Sequence, residues 1–100
     1  MEGAEFALAC DVKSEGPFES RGLENGPAVA KWSRNTMQRF NTLADRLRLG
    51  QLSQIECGGT LCNAGLATHG GNILCMGWRH DLTLAEVRKK TLKALLQWAS

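Results

Sequence analysis

The 100-residue chain is short of most features that would declare a function. Only two prolines and eleven glycines occur, which excludes collagen. With 43% hydrophobic and 22% charged residues, the chain is neither a coiled coil nor disordered throughout. No apolar run approaches the roughly 20 residues that a membrane span needs. No basic region precedes an apolar stretch at the N-terminus, so no signal peptide is visible and a cytoplasmic location is expected. The net charge of +2 is too small to announce a nucleic-acid binder. Catalytic patterns are missing too. Gly58-Gly59 and Gly70-Gly71 are too short for a phosphate loop, and no Gly-Lys-Ser/Thr follows them. No carboxylate pair is presented by spacing. Cys75 has His80 five residues on, but neither His80 nor His69 has an Asp or Asn tied to it by the sequence. The reading is of a single domain over 1–100, without enzymatic activity or cofactor, whose core is of modest size.

What charge there is lies unevenly. Residues 1–24 hold six acids and two bases, a balance of −4, and the remainder holds four acids and ten bases, a balance of +6. Such polarity steers partners or a second copy of the chain, unless it only solvates two faces.

Alternation marks the strands. In Glu5–Val12, Phe6, Leu8, Cys10 and Val12 point one way and Ala7, Ala9 and Asp11 the other. Lys13-Ser14-Glu15-Gly16 reads as a turn and Pro17–Leu23 as a second strand, with Pro17 confined to its start or to an edge. Three further strands, Leu52–Cys57, Leu61–Thr68 and Asn72–Trp78, are separated by Gly58-Gly59-Thr60 and Gly70-Gly71, the chemistry of hairpin turns. A two-residue Gly70-Gly71 loop places His69 opposite Asn72 and Leu66 opposite Cys75.

Two helices complete the pattern. The first occupies 28–48, with Asn25 or Gly26 as cap and Pro27 in the first turn. Val29, Trp32, Met37, Phe40, Leu43, Ala44 and Leu47 recur at helical spacing, Ser33 and Thr36 fill the stripe, and Gly50 terminates it. The second begins with Thr83-Leu84-Ala85-Glu86, a capping box, with Leu82 and Val87 placed as a hydrophobic staple. Leu84, Val87, Thr91, Leu95 and Trp98 form its stripe, widened by Leu92 and Ala94. Arg88, Lys89, Lys90 and Lys93 form its wet face; they lack the interleaved aromatics of a nucleic-acid site. The order β-β-α-β-β-β-α, with no strand–helix–strand alternation, gives an α+β fold: a five-stranded antiparallel sheet with two helices.

Two chemistries compete for the remaining features. Cys57 and Cys62 are spaced C-x4-C and are followed by His69, Cys75 and His80, residue types that suit zinc. The spacing does not repeat as paired knuckles, and buried or half-buried thiols are the plainer account. A four-residue hairpin loop would set Cys57 beside Cys62, as a disulfide or redox pair. A small-ligand pocket is a third reading, with Gly65, Gly77 and the Ala7/Ala9 face leaving room. Against these stands a surface reading. Three Trp, three Phe and three Met are much bulk for a small sheet, and such residues concentrate in interfaces. The first helix has both a broad apolar stripe and many arginines, as suits a helix shared between core and partner. Trp32, Met37, Phe40 and Ile55 are the expected interface residues.

A first hairpin, a long helix ending Leu47-Arg48-Leu49-Gly50, the strand Gln51-Leu52-Ser53-Gln54-Ile55-Glu56-Cys57, a three-strand meander and a last helix together resemble the roadblock/LC7 family, of profilin-like layout. The resemblance covers about residues 4–98 and is to a short form, lacking the N-terminal helix that many members carry. It implies a homodimer formed through the long helix and the third strand, with one sheet continuous across both copies. It also implies a non-catalytic regulator or scaffold that partners a small Ras-like GTPase or a motor complex.

Overall fold

A computed structural model describes residues 4–11, 18–50 and 52–99. The elements are β1 (Ala4–Asp11), β2 (Phe18–Arg21), α1 (Gly26–Arg46), β3 (Gln54–Gly58), β4 (Cys62–His69), β5 (Asn72–Arg79) and α2 (Leu84–Ala99). They form the expected α+β fold, with one five-stranded antiparallel sheet in the order β2-β1-β5-β4-β3. The longest strands, β1, β4 and β5, occupy the centre, and β2 and β3 are the edges. Val12, the Lys13–Gly16 turn, Pro17 and Gln51 lie outside the described residues.

The hairpin at Gly70-Gly71 follows the turn chemistry. Both glycines have positive φ, 58° and 82°, the backbone that a two-residue turn needs to match strand twist. His69 pairs with Asn72 and Leu66 with Cys75, as the spacing requires. The β3–β4 hairpin is tied differently. Its loop is Gly59-Thr60-Leu61, and the buried Asn63 side chain accepts from the Gly59 amide at 3.2 Å while donating to the Leu82 carbonyl at 2.7 Å. One side chain thus joins the hairpin to the segment entering α2.

Alternation divides the sheet into two faces. Leu8, Cys10, Leu66, Ile73 and Cys75 pack beneath α1 together with Ala30 and Met37. Ala67, Leu74, Met76 and Trp78 pack beneath α2 with Val87, Ala94 and Leu95. Neither helix spans its face: α1 lies over β1, β2 and β5, and α2 over β4, β3 and β5.

α2 is fixed at its start by the capping box. The Thr83 amide donates to Glu86 Oε1 at 3.0 Å and the Glu86 amide to Thr83 Oγ1 at 3.1 Å. These bonds to Thr83 hold the Glu86 carboxyl below its usual pKa. Within the sheet contact, the Trp78 indole donates to the buried Thr91 hydroxyl at 3.0 Å. Gly65 and Gly77 do not leave room for a ligand: a Cβ at Gly65 would strike the Thr91 side chain, and one at Gly77 the Phe6 ring. α2 comes this close to the sheet because Gly65 lacks a side chain, and Gly77 makes room for the Phe6 ring of the neighbouring strand β1.

α1 departs from expectation at both ends. It spans Gly26–Arg46, two residues earlier than the stripe suggests. Asn25 holds the cap position without a side-chain cap bond. Arg48, at φ 58°, takes the left-handed position at the C-terminus; its amide donates to Asp45 O and the Leu49 amide to Ala44 O. That is the six-to-one and five-to-two bonding of a Schellman end, completed two residues before Gly50.

Candidate protein-interaction surface

Consecutive helical residues are about 100° apart, so α1 can be unrolled into faces. Gly26, Ala30, Ser33, Met37 and Ala44 are buried and share the face turned to the sheet. Apart from Met37 these are small residues, and they let the helix backbone lie close to β1 and β5. The bulk lies elsewhere. Val29, Trp32, Thr36, Phe40, Leu43 and Leu47 form a second row, spaced 3-4-4-3-4, beside the buried one. Trp32, Phe40 and Leu43 are 43%, 42% and 48% exposed, although each is large and apolar. The expected single broad stripe is therefore two: a small-residue face in the core and a large-residue flank in water.

Hydrogen bonds orient that flank. Arg34 Nε donates to the Asp11 carbonyl at 2.7 Å, and the Leu52 amide donates to Asn41 Oδ1 at 2.8 Å. Arg34 and Asn41 lie on the other side of the helix, so that side is turned to the sheet end where β1 finishes and β3 begins. The apolar flank overlooks the opposite end of the same face. There Cys57, Cys62 and Ala64 are half-buried, and α1 does not extend over their strands. β3, an edge strand, borders this area and among the described residues is paired on one side only, to β4.

Of the four expected interface residues, Trp32 and Phe40 lie on the exposed flank. Ile55 is half-buried on the same face of edge strand β3. Met37 is a correction. It is 0% exposed and belongs to the core under α1, because its helical position falls in the small-residue row. Leu43 and Leu47 belong to the flank instead. Their 3-4 spacing from Phe40 was the signal, hidden because both rows read together as one stripe.

The order of strands, the two helices on opposite faces and the register together define a known architecture. This chain has the roadblock/LC7 fold. It superposes on a roadblock/LC7 domain from Streptomyces avermitilis with a TM-score of 0.73 at 12% identity, over 97% of this chain and 86% of that one. It is similar also to MglB of Myxococcus xanthus, with a TM-score of 0.75 at 16% identity, over 95% and 82% of the two chains. No protein-family model and no curated protein matches the sequence itself.

Within this roadblock fold the metal reading fails. Among the described residues no three His, Cys, Asp or Glu side chains are grouped to hold a metal ion. Cys57, Cys62 and Cys75 share a sheet face, since Cys57 pairs with Ala64, Ala64 with Gly77, and Leu66 with Cys75. His69 lies on the other face, beside Ala67 in the alternation, and His80 is exposed beyond β5. The three-residue β3–β4 loop also sets Cys57 opposite Ala64 and diagonal to Cys62, not beside it. All four thiols are free. Burial pushes the Cys75 thiol up to about 11, against a hydrogen bond from Ser33 that lowers it, and burial raises Cys10 and Cys57 as well. Raised thiols are poor nucleophiles at neutral pH.

The outer face has an open groove of about 860 Å³ where α2 stops short of β1 and β2. Ala7, Ala9 and Leu74 floor it and Trp98 stands at one wall. Among the described residues, no helix is long and apolar enough to cross a membrane.

Proposed function

We propose that this chain is a non-catalytic binding module that works as a homodimer and regulates or scaffolds a partner protein. One observation carries the reading: α1 turns Trp32, Phe40, Leu43 and Leu47 to water, above a half-covered sheet face and beside the open edge of β3. Large apolar patches of this kind mark protein interfaces. A second copy related by a two-fold axis supplies what is missing. Its α1 covers the β3–β4 half of the face, and its β3 pairs with the free edge. The fold supports the same reading, because the roadblock resemblance implies dimers built on these two elements. That resemblance also makes a small Ras-like GTPase the partner class, and the cytoplasm the location.

Light scattering at micromolar concentration tests the dimer, and a strict monomer refutes it. Phe40→Asp is expected to separate the copies while far-UV circular dichroism stays native, since the ring is partly in water in the single chain. Loss of the fold would instead make Phe40 a core residue. Affinity capture with the purified dimer, followed by nucleotide analysis of the bound fraction, tests for a GTPase.

A further inference from the structure

The outward side of α2 carries a pattern that the core does not use. Val87, Thr91, Ala94 and Leu95 are buried and fix the side turned to the sheet. With consecutive residues about 100° apart, Arg88, Leu92, Ala85, Leu96, Lys89 and Lys93 follow one another around the other side. An apolar strip thus points away from the sheet, with Arg88 along one border and Lys89 and Lys93 along the other. All of these residues are exposed, Leu92 to 41% and Leu96 to 64%. Among the described residues, none of these bases is in an ion pair. Lys90, by contrast, is turned inward over the Trp78 ring. Glu86 is the one acid of the helix, and its carboxylate is held at the cap by the Thr83 amide. α2 alone covers its face of the sheet, and the groove beside it leaves it standing as a ridge.

We infer that this ridge docks on an anionic lipid surface, with Leu92 and Leu96 entering the headgroup region and Arg88, Lys89 and Lys93 lying among the anionic headgroups. Charge argues for that occupant. An apolar strip bordered by basic side chains suits a helix lying in the plane of a membrane interface, and each base near an anionic leaflet adds to the binding. The acids Glu5 and Glu19 line the far side of the groove, set back from the crest. Shape argues the same way, because a convex ridge with its apolar residues at the crest meets a flat surface without rearrangement. The homodimer proposed above adds a geometric argument, and the strength of binding, though not its existence, rests on that reading. Antiparallel pairing of two β3 edges sets the two-fold axis perpendicular to the sheet, so the α2 ridges of both copies stand on the same side. A planar surface engages both at once, which raises avidity without any new contact. Anionic lipids belong to the cytoplasmic leaflet, in keeping with the location proposed.

Co-sedimentation of the full chain with lipid vesicles tests this, using phosphatidylcholine alone and phosphatidylcholine with about 30% phosphatidylserine. The anionic vesicles are expected to bind about tenfold more tightly than the neutral ones, and less tightly as salt rises. Lys89→Glu/Lys93→Glu is expected to abolish that preference and Leu96→Asp to weaken binding severalfold. Both variants should keep native circular dichroism, since these side chains lie in water. Equal binding to the two vesicle types, or a charge-reversed variant that binds like the parent, overturns the inference. So does binding to soluble polyglutamate that is as tight as to the vesicles and indifferent to Leu96→Asp, which assigns the ridge to an acidic protein. Phe40→Asp, as a single chain, is expected to bind the anionic vesicles more weakly and still through the lysines. If the parent is itself a monomer but binds in this lysine-dependent way, the homodimer reading alone falls.

Discussion

The two helices solve the same packing problem in opposite ways. α2 has a reciprocal cap at its start and puts Val87 and Leu95 against Met76 and Trp78, with a buried hydroxyl–indole bond between the layers. α1 has no side-chain cap, meets the sheet through Ala30, Ser33, Met37 and Ala44, and leaves its large residues in water. A helix that only served the monomer's core would put bulk inward, because burial of a large side chain stabilises by roughly 1.5–3 kcal/mol. The difference is that α1 keeps an apolar flank in water, the flank the proposed dimer would cover, whereas the inner face of α2 is complete within the chain.

The sharpest break in that comparison is within α1 itself. Met37→Ala is expected to cost about 2–5 kcal/mol in chemical denaturation, because the position is fully enclosed. Leu43→Ala, one helical row away, should cost far less in a dilute sample and act on self-association instead. Equal losses at the two positions would erase the distinction between face and flank. Next in size is Asn63→Ala, which leaves the Gly59 amide and Leu82 carbonyl without their partner. Its cost should be about 1–3 kcal/mol, read as a lower denaturation midpoint with an unchanged slope. Thr83→Ala should remove about 1 kcal/mol by stripping the cap of α2. The Glu86 side of that cap is acid-sensitive: its carboxyl is depressed in the folded chain, so its stabilisation is present above the unfolded pKa and fades as pH falls through the folded one. Asn25→Ala at α1 should change almost nothing, since no cap bond is made there.

How far the sequence disclosed this follows from which signals are local. The Gly70-Gly71 register could be read from two residues, and the α2 cap from four. Alternation in β1 gave both faces correctly, with Leu8 and Cys10 on one and Ala7 and Ala9 on the other. The two rows of α1 could not be separated. Val29 through Leu47 reads as one broad stripe until it is known that Ala30, Ser33 and Ala44 allow the close approach, and that fixes which row is buried. Gly65 and Gly77 looked like empty space for the same reason. Their partners Thr91 and Phe6 are distant in the chain, and only packing brings them together. At the end of α1, Arg48 takes a left-handed conformation that its residue type does not announce.

The cysteines offer a smaller test of the covered face. Cys10 and Cys75 should react with a thiol reagent only on unfolding, whereas Cys57 and Cys62 react in the folded chain. Their labelling rates should fall as protein concentration rises, because the proposed dimer would cover that half of the sheet. Rates independent of concentration would place the interface elsewhere. Since the Cys75 thiol is raised from 9.0 to about 11, its share of stability is complete below about pH 9 and is lost as pH climbs through its folded value.

The most direct measurement of the central claim is the mass in solution of the parent chain and of Trp32→Asp, by sedimentation equilibrium at micromolar concentration. A two-chain mass for the parent and a one-chain mass for the variant are expected, both with native circular dichroism. A one-chain mass for the parent, or a variant that stays dimeric, would contradict it.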